Sequence, residues 1–574
     1  LNFLKDFKIY DLARHFQQDY FFYTYKYNFN MSRFFGGRYI MEFTKLMEKE
    51  LEIQNMTREE KINHFGDELV KMNANYTENG ALAYNTTGKN LLDLNFQIPQ
   101  LRAMDDDMLL YKWNIVYEEN PELALRWLFF LRDVRHGAGE RQTFRRLLKI
   151  IFTNPMYKKL GSLLLSSMTN DTVEPLIPFY GRWDDLLSLL DYDCKDEVMR
   201  VIWLQLNRDL IRMEQHNSIS LLAKWLPSIN TSSRESRRLA KMIADWLDYT
   251  PKQYRQTLSK LRAYLDVVER KMSANQWDKI KYENVPSKAN LIYSDAFMEH
   301  DSERRAIYLE LVKNGVKKIN SSVLYPHEIL DKLLMYDEKN DNNLVYEEMW
   351  KALPNVVDPD CKILVVRDGS GSMMFAPKQY CPVKPVIIAT ALAIYFAERL
   401  HGEFHNKFIT FSANPELVNF DNCDTLFSKW LHADNYNDYQ NTNLESVFNL
   451  ILNTAIANNL KQEDLPNNLL FISDMEFDAG VNDASNVKLL DSIAKRYRLA
   501  GYKLPRIIFW NVASRSNAIP MIKNDNGVVL ISGYSINMIK MIMTGEIDPY
   551  KCLVNQLMDP RYDYAKEIID NLDK

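Results

Sequence analysis

Cys361-Lys362-Ile363-Leu364-Val365-Val366-Arg367-Asp368-Gly369-Ser370-Gly371-Ser372-Met373 is the stretch from which the rest of the chain can be read. Its apolar, β-branched run predicts a buried strand that ends in a small, polar, glycine-rich turn. A helical segment follows, from about Pro382 to Leu400. Strand, turn and helix in that order open an α/β sheet, whose ligands gather beyond the carboxyl ends of the strands. The turn offers one carboxylate and two hydroxyls at alternate positions, Asp368, Ser370 and Ser372. All three are hard oxygen ligands of the kind Mg²⁺ prefers.

Downstream, the pattern keeps alternating. Strands are expected at Lys407–Ser412, in the run ending at Asp474, at Pro505–Val512 and at Gly527–Ile531. Helices are expected at Leu444–Asn458, Val487–Leu499 and Ile536–Met543, with one or two closing helices over Pro549–Leu572. This rhythm predicts a doubly wound, Rossmann-type parallel sheet.

Upstream, from Met41 to about Leu353, the pattern is helical throughout. Asn120-Pro121-Glu122 is a strong helix start, with an Asn cap and Pro in the first turn. That helix ends near Gly137 and Gly139, and a second runs from Glu140 to Phe152. Further helices are expected at Asp184–Leu190, Lys195–Glu214, Ser233–Leu247, Pro251–Val268 and Glu303–Val312. The length and the short polar turns predict a helical repeat or bundle. The first residues, Leu1 to about Arg38, are crowded with aromatics and lack a clear period. Residues before Met31 or Met41 are expected to be an over-extended reading frame or a poorly ordered extension. The expected organisation is therefore an aromatic extension at 1–40, a helical domain at 41–355, an α/β domain at 356–546 and a helical tail at 547–574.

Composition narrows the function. A net charge of −5 over 574 residues gives no global attraction to nucleic acid, so any such binding needs a local basic patch. Five scattered cysteines with no C-x-x-C spacing suit free thiols in a reducing compartment. No apolar run approaches the ~20 residues that span a bilayer. A soluble, cytoplasmic protein without a membrane partner is expected. Catalytic loops fit poorly: an aspartyl phosphotransferase would want a second Asp where Ser370 stands, and no Gly-Lys-Ser/Thr phosphate loop follows the strand. His401-Gly402-Glu403-Phe404-His405 lacks the Glu adjacent to the first His that a zinc protease needs. A non-enzyme is expected.

Asp-x-Ser-x-Ser after a hydrophobic strand resembles the metal-ion-dependent adhesion site (MIDAS) of von Willebrand factor A (vWA) domains. That resemblance implies a second-loop Thr, for which Thr442 is the candidate, and an Asp after a later strand, for which Asp474 stands ready. The implied site is Asp368, Ser370, Ser372, Thr442 and Asp474 around Mg²⁺ or another divalent cation. An all-helical half followed by such a domain is similar to the TROVE-module proteins of the Ro ribonucleoprotein type. More specific fragments identify the chain with the DUF2828 family: the run from Glu78 to Gly88, Phe130 to Arg141, Ile177 to Leu186, Lys224 to Ser228, the Asp368 loop, Ser473 to Asp478 and Ile508 to Asn511. That likeness spans about Asn79 to the C-terminus.

The Ro-type resemblance implies a helical scaffold that binds structured or misfolded RNA. Candidate contacts are Arg132, Arg135, His136, Arg141 and Arg145 around one helix–helix turn, Arg182 beside Tyr180 and Trp183, and Arg234, Arg237, Arg238 and Lys241 along one helix face. Each also has a plainer reading, as a packed turn or a solvated helix face. The alternative function is a protein-interaction module in which the metal completes its coordination with a partner's Asp or Glu.

Overall fold

The computed structural model describes residues 74–77 and 82–572, apart from 170–173, 337, 339, 341–342, 359, 376–380, 439–441, 478–485, 522–526 and 544. The aromatic extension, both candidate start methionines and Asp478 lie outside the described residues. Residues from Tyr76 to Lys574 form one compact unit.

The opening stretch is one of the two central strands of a six-stranded sheet. Its strands are β1 (Ile363–Asp368), β2 (Lys407–Phe411), β3 (Leu417–Asn419), β4 (Asn468–Ser473), β5 (Arg506–Asn511) and β6 (Val528–Ser532), in the order β3-β2-β1-β4-β5-β6. All neighbours are parallel except β2 and β3, which pair antiparallel at one edge. β1, β5 and β6 are buried along their whole length, as expected of strands covered by helices on both faces. The helix Pro385–Arg399 packs on β1 and β4 and buries twelve of its residues, from Pro385 to Ala397. Its near-continuous apolar sequence reflects that depth.

Chain order fixes where a ligand can sit. From β1 the chain moves outward to β2 and β3, then returns to add β4 on the other side of β1. The crossovers leave β1 and β4 in opposite directions, so a crevice opens beyond their carboxyl ends.

From Asn90 onward the upstream half is helical, as expected, but Ala74–Tyr76 and Leu82–Tyr84 form a two-stranded sheet where helix was expected, and residues 41–73 lie outside the described residues. Asn120 accepts a hydrogen bond from Leu123 N at 2.9 Å and starts the helix Pro121–Arg132. The helices Gln142–Thr153, Lys195–Glu214, Arg234–Trp246, Pro251–Tyr264 and Ser302–Lys313 follow close to their expected places. Among the described residues no helix is long and apolar enough to cross a membrane, and all five cysteines are free.

This half grips the sheet at the carboxyl ends of its strands. Asn511, at the end of β5, donates to Phe96 O at 2.9 Å, and Ser532, at the end of β6, donates to Asn95 O. Tyr84 and Ile519 exchange two backbone hydrogen bonds of 2.9 Å. Arg102 is buried against Glu140 at 2.7 Å and lies 4.4 Å over the ring of Tyr534, whose hydroxyl it also reaches. The tail closes the structure: Arg561 pairs with the buried Asp133 at 2.5 Å and Arg126 with Asp563 at 2.8 Å. The expected tail resolves into two helices, Pro549–Leu557 and Tyr564–Leu572.

His327 sits in the junction, stacked on Tyr325 at 5.6 Å and edge-on to Tyr534 at 5.1 Å. Burial pushes its pKa down from 6.5 to about 4, so it folds as the neutral imidazole. The unfolded chain then binds one more proton than the folded chain between those two values. Stability is therefore lost as pH falls from about 6.5 towards 4, by about 3 kcal/mol for this group. Urea midpoints measured across that range should flatten in His327→Phe, which keeps a ring in the stack and cannot take up the proton.

Candidate functional site

The site forms where the β1 and β4 carboxyl ends meet. Asp368 is the last residue of β1 and is 1% exposed. One of its oxygens accepts from Ser370 N at 2.9 Å, and the other from the Ser473 hydroxyl at 2.6 Å. Ser473 ends β4, so this bond ties the two strand ends together across the crevice. Ser370 Oγ and Ser372 Oγ are 3.1 Å apart, and Ser372 lies close enough to the Asp474 carboxyl to pull its pKa down against the effect of burial. Four of the five expected ligands are thus brought into one connected cluster. The fifth, Thr442, is 4% exposed just before the helix Leu444–Ala457, which Asn443 caps through Ser446 N at 3.1 Å.

Backbone geometry at both loops is specialised. Met475 has φ +66 and is fully buried, a conformation that a non-glycine residue holds only when its surroundings enforce it. Its amide donates to Ser473 Oγ at 3.0 Å. Gly369 is needed for close approach: a Cβ there would stand 2.9 Å from Asn437 Oδ1 and 3.2 Å from Asn437 Cα.

Three residues around the cluster were not assigned from sequence. Ser473 is the first. Arg367 is the second, a guanidinium inside β1 that is wholly buried. It donates to Asn437 Oδ1 at 2.7 Å, Tyr436 O at 3.1 Å and Ala433 O at 3.2 Å, holding the end of the helix Leu426–Asp434 and the loop leading towards Thr442. Burial pushes its pKa down to about 10, which leaves it charged at neutral pH. The third is Glu476, 1% exposed, whose Oε1 accepts from Ser516 Oγ at 2.8 Å, Ser516 N at 3.1 Å and Ser514 Oγ at 3.4 Å. Gln100 of the helical half donates to that same Ser514 hydroxyl at 3.0 Å. The acidic pair Asp474 and Glu476, two residues apart at a strand end, was the available signal.

The electrostatics favour a cation. Burial pushes the pKa of Asp368 up. Burial, then the neighbouring Asp368 and Glu476 carboxylates, pushes Asp474 up as well. Arg515 approaches Asp474 only to 3.9 Å. Among the described residues no three His, Cys, Asp or Glu side chains converge closely enough to hold a metal by themselves. The serine hydroxyls are therefore essential to any site here. Carboxylates plus hydroxyls form an all-oxygen set that suits Mg²⁺ and would suit a thiophilic metal poorly.

The basic residues proposed for RNA divide sharply. Arg132 is 2% exposed and pairs with the buried Asp185 at 2.8 Å; Arg145 bonds the same carboxylate at 2.7 Å and Asp184 at 2.6 Å. Arg182 lies 5.6 Å over Trp225, and its amide donates to Asp185 at 2.9 Å. Arg135 is exposed and donates to Phe179 O at 3.0 Å. Gly181 leaves room for this knot, since a Cβ there would meet Asp185 Oδ2 at 2.4 Å. Two of the quoted fragments, Phe130–Arg141 and Ile177–Leu186, therefore meet in space as a packed structural unit. His136 and Arg141 are exposed at its rim, with Arg141 3.9 Å from Asp184. On the helix Arg234–Trp246, Arg238 pairs with Asp191 at 2.5 Å and Glu235 at 2.6 Å. Arg234, Arg237 and Lys241 are exposed there, and none forms an ion pair within the described residues.

Comparison with known proteins agrees with this two-part build. The chain is 29% identical over 527 residues to Uncharacterized protein L728 of Acanthamoeba polyphaga mimivirus, covering 84% of this chain and 87% of that protein. Residues 362–562, which hold the sheet and the Asp368 cluster, match the model of another domain of unknown function, DUF7788. The likeness read from Asn79 to the C-terminus thus divides between two family models close to the start of β1. Residues 77–203 and 247–366 match the model of the DUF2828 domain of unknown function.

Proposed function

We propose that the protein is a metal-dependent interaction module. Its α/β half is read as a vWA-like domain in which Asp368, Ser370, Ser372, Thr442 and Asp474 hold Mg²⁺, and an acidic side chain of a protein partner completes the coordination. The observation that supports this most is the cluster at the β1–β4 crevice, where the buried Asp368 carboxylate accepts from Ser370 N and the Ser473 hydroxyl, with Ser370, Ser372 and the buried Asp474 beside it. A binding role fits better than a catalytic one, because the Ser370 and Ser372 hydroxyls bond to each other and have no histidine or lysine partner among the described residues.

A second reading keeps the RNA-binding scaffold of the Ro type, and one feature favours it. Arg234, Arg237 and Lys241 share an exposed helix face without ion-pair partners among the described residues, as a phosphate-contacting surface would. Arg132 and Arg145 are weaker candidates, since their guanidinium groups already hold Asp185.

Salt and metal separate the two. The full chain, purified without crosslinking from its native cell, should retain a defined protein partner at raised salt with Mg²⁺, and lose it on EDTA treatment or in Asp368→Ala. RNA that is retained in EDTA, survives Asp368→Ala and dissociates steeply with salt would reject the metal-module reading in favour of the scaffold.

A further inference from the structure

The helix Lys195–Glu214 is the longest among the described residues, and only one of its sides is covered. Val198, Met199, Val201, Ile202, Leu206 and Met213 are buried against the helical half. On the opposite side Trp203, Leu204 and Ile211 are 48, 46 and 56% exposed. One exposed apolar residue is ordinary, but three on one helix face make a patch that calls for a partner.

The exposed face is ordered. Arg200, Leu204, Asn207, Ile211 and Glu214 succeed one another at alternating steps of four and three residues. That is the spacing of a seam along which two helices pair. Trp203 flanks the seam beside Leu204. At its centre Asn207 donates from its side-chain amide to Trp203 O at 2.9 Å. Arg200 and Glu214, each seven residues from Asn207, give the two ends opposite charges. Both are exposed; Arg200 forms no ion pair among the described residues, and Glu214 meets Lys260 at 3.9 Å. Arg208, beside the seam, turns back to Gln205 Oε1 at 3.2 Å.

We infer that this face pairs with the same face of a second copy of the chain, antiparallel about a two-fold axis at Asn207. The charges fix the direction. A parallel pair would set Arg200 against Arg200 and Glu214 against Glu214. The antiparallel pair sets Arg200 of each copy against Glu214 of the other, so both charged ends are answered at once. Trp203 and Ile211 lie four residues on either side of Asn207, so each Trp203 crosses the Ile211 of the other copy. Such self-complementarity is what an isologous contact requires, and an unrelated partner would not require it. Packed helices approach to about 8–10 Å, near enough for the Arg and Glu side chains to meet. About five turns of helix bury less than a standard interface, so the dimer forms at micromolar concentration. None of these residues belongs to the Asp368 cluster, and the pairing needs no metal.

Sedimentation velocity of the full chain in EDTA, from about 1 to 100 µM, reads the association. A reversible monomer–dimer equilibrium is expected. Arg200→Glu and Glu214→Arg should each weaken it by at least about tenfold, because each sets two like-charged pairs across the axis. The two substitutions together should restore it. Asn207→Cys should link two copies into a covalent dimer on mild oxidation, well above the background from the five native thiols. Arg237→Cys, exposed on the helix Arg234–Trp246, should not. Unchanged melting temperatures check that the variants keep the fold. A monomer at every concentration would overturn the inference, as would a dimer indifferent to the single charge reversals or a double variant no better than either single one. A dimer that forms with Mg²⁺ and not in EDTA would place the contact at the Asp368 cluster and overturn it as well.

Discussion

Asp185→Ala is expected to destabilise the protein by about 3–5 kcal/mol, the range for removing one partner from a buried ion pair. The carboxylate is fully buried and serves three groups at once: Arg132 at 2.8 Å, Arg145 at 2.7 Å and the Arg182 amide at 2.9 Å. Removing it strands Arg132, which is 2% exposed and cannot recover its hydration without opening the fold. Arg145 loses less, because it keeps Asp184 and reaches solvent. Urea denaturation of the variant should show a much lower midpoint with little change in slope. A loss below about 1 kcal/mol, the level of surface pairs, would mean that these arginines are free for another role. The same experiment therefore bears on RNA binding, since residues that hold the fold cannot also be assigned as phosphate contacts from a binding defect.

The second large effect concerns the Asp368 cluster. Mg²⁺ should stabilise the wild-type chain by about 2.7 kcal/mol when present at about 100 times its dissociation constant. Asp368→Asn should abolish that response, with affinity falling by at least about 100-fold. In the absence of metal the same variant should be at least as stable as wild type. Burial already pushes the Asp368 carboxyl up, and its charge opposes that of Asp474. The amide removes this repulsion while its oxygen can still accept from Ser370 N or Ser473. Calorimetric titration and thermal melts with and without EDTA read the two halves separately. A metal-free loss of stability together with an unchanged Mg²⁺ response would show that Asp368 is a turn-capping residue and no ligand.

The sequence carried the strands and helices whose partners lie close along the chain or whose burial is complete. β1 and β4 were visible as unbroken apolar runs that end in polar turns. Asn120 was visible as a cap because its partner, Leu123 N, is three residues away. The antiparallel edge strand β3 was not visible. It is three residues long, and Leu417 and Asn419 are exposed, so it has almost no hydrophobic signature. Arginine roles were not visible either. Periodicity places Arg234 and Lys241 on one face, but nothing local indicates that Arg132 will meet Asp185, 53 residues later, or that Asp133 will meet Arg561 across 428. Arg367 shows the same limit: in an apolar strand a guanidinium reads as a misfit until the loop around Asn437 wraps it. Resemblance to vWA domains supplied Thr442 and Asp474, whereas spacing alone supplied only the Asp368 turn.

The pairing of the last residues with the first helices also sets the order of events at the ribosome. Arg126 and Asp133 finish their hydrogen bonding with Leu557, Arg561, Tyr562 and Asp563. Tyr180 waits for Arg561 as well. These groups are synthesised well before their partners and stay incompletely matched until residues 557–563 have emerged. The helical half must spend most of translation with its closing seam open, and its final consolidation is a post-translational step with a large loop-closure entropy. Slow release of the tail, or its loss to a nonsense mutation, leaves exposed the surface that chaperones bind. The stability of the helical half thereby reports whether residues 557–563 are present.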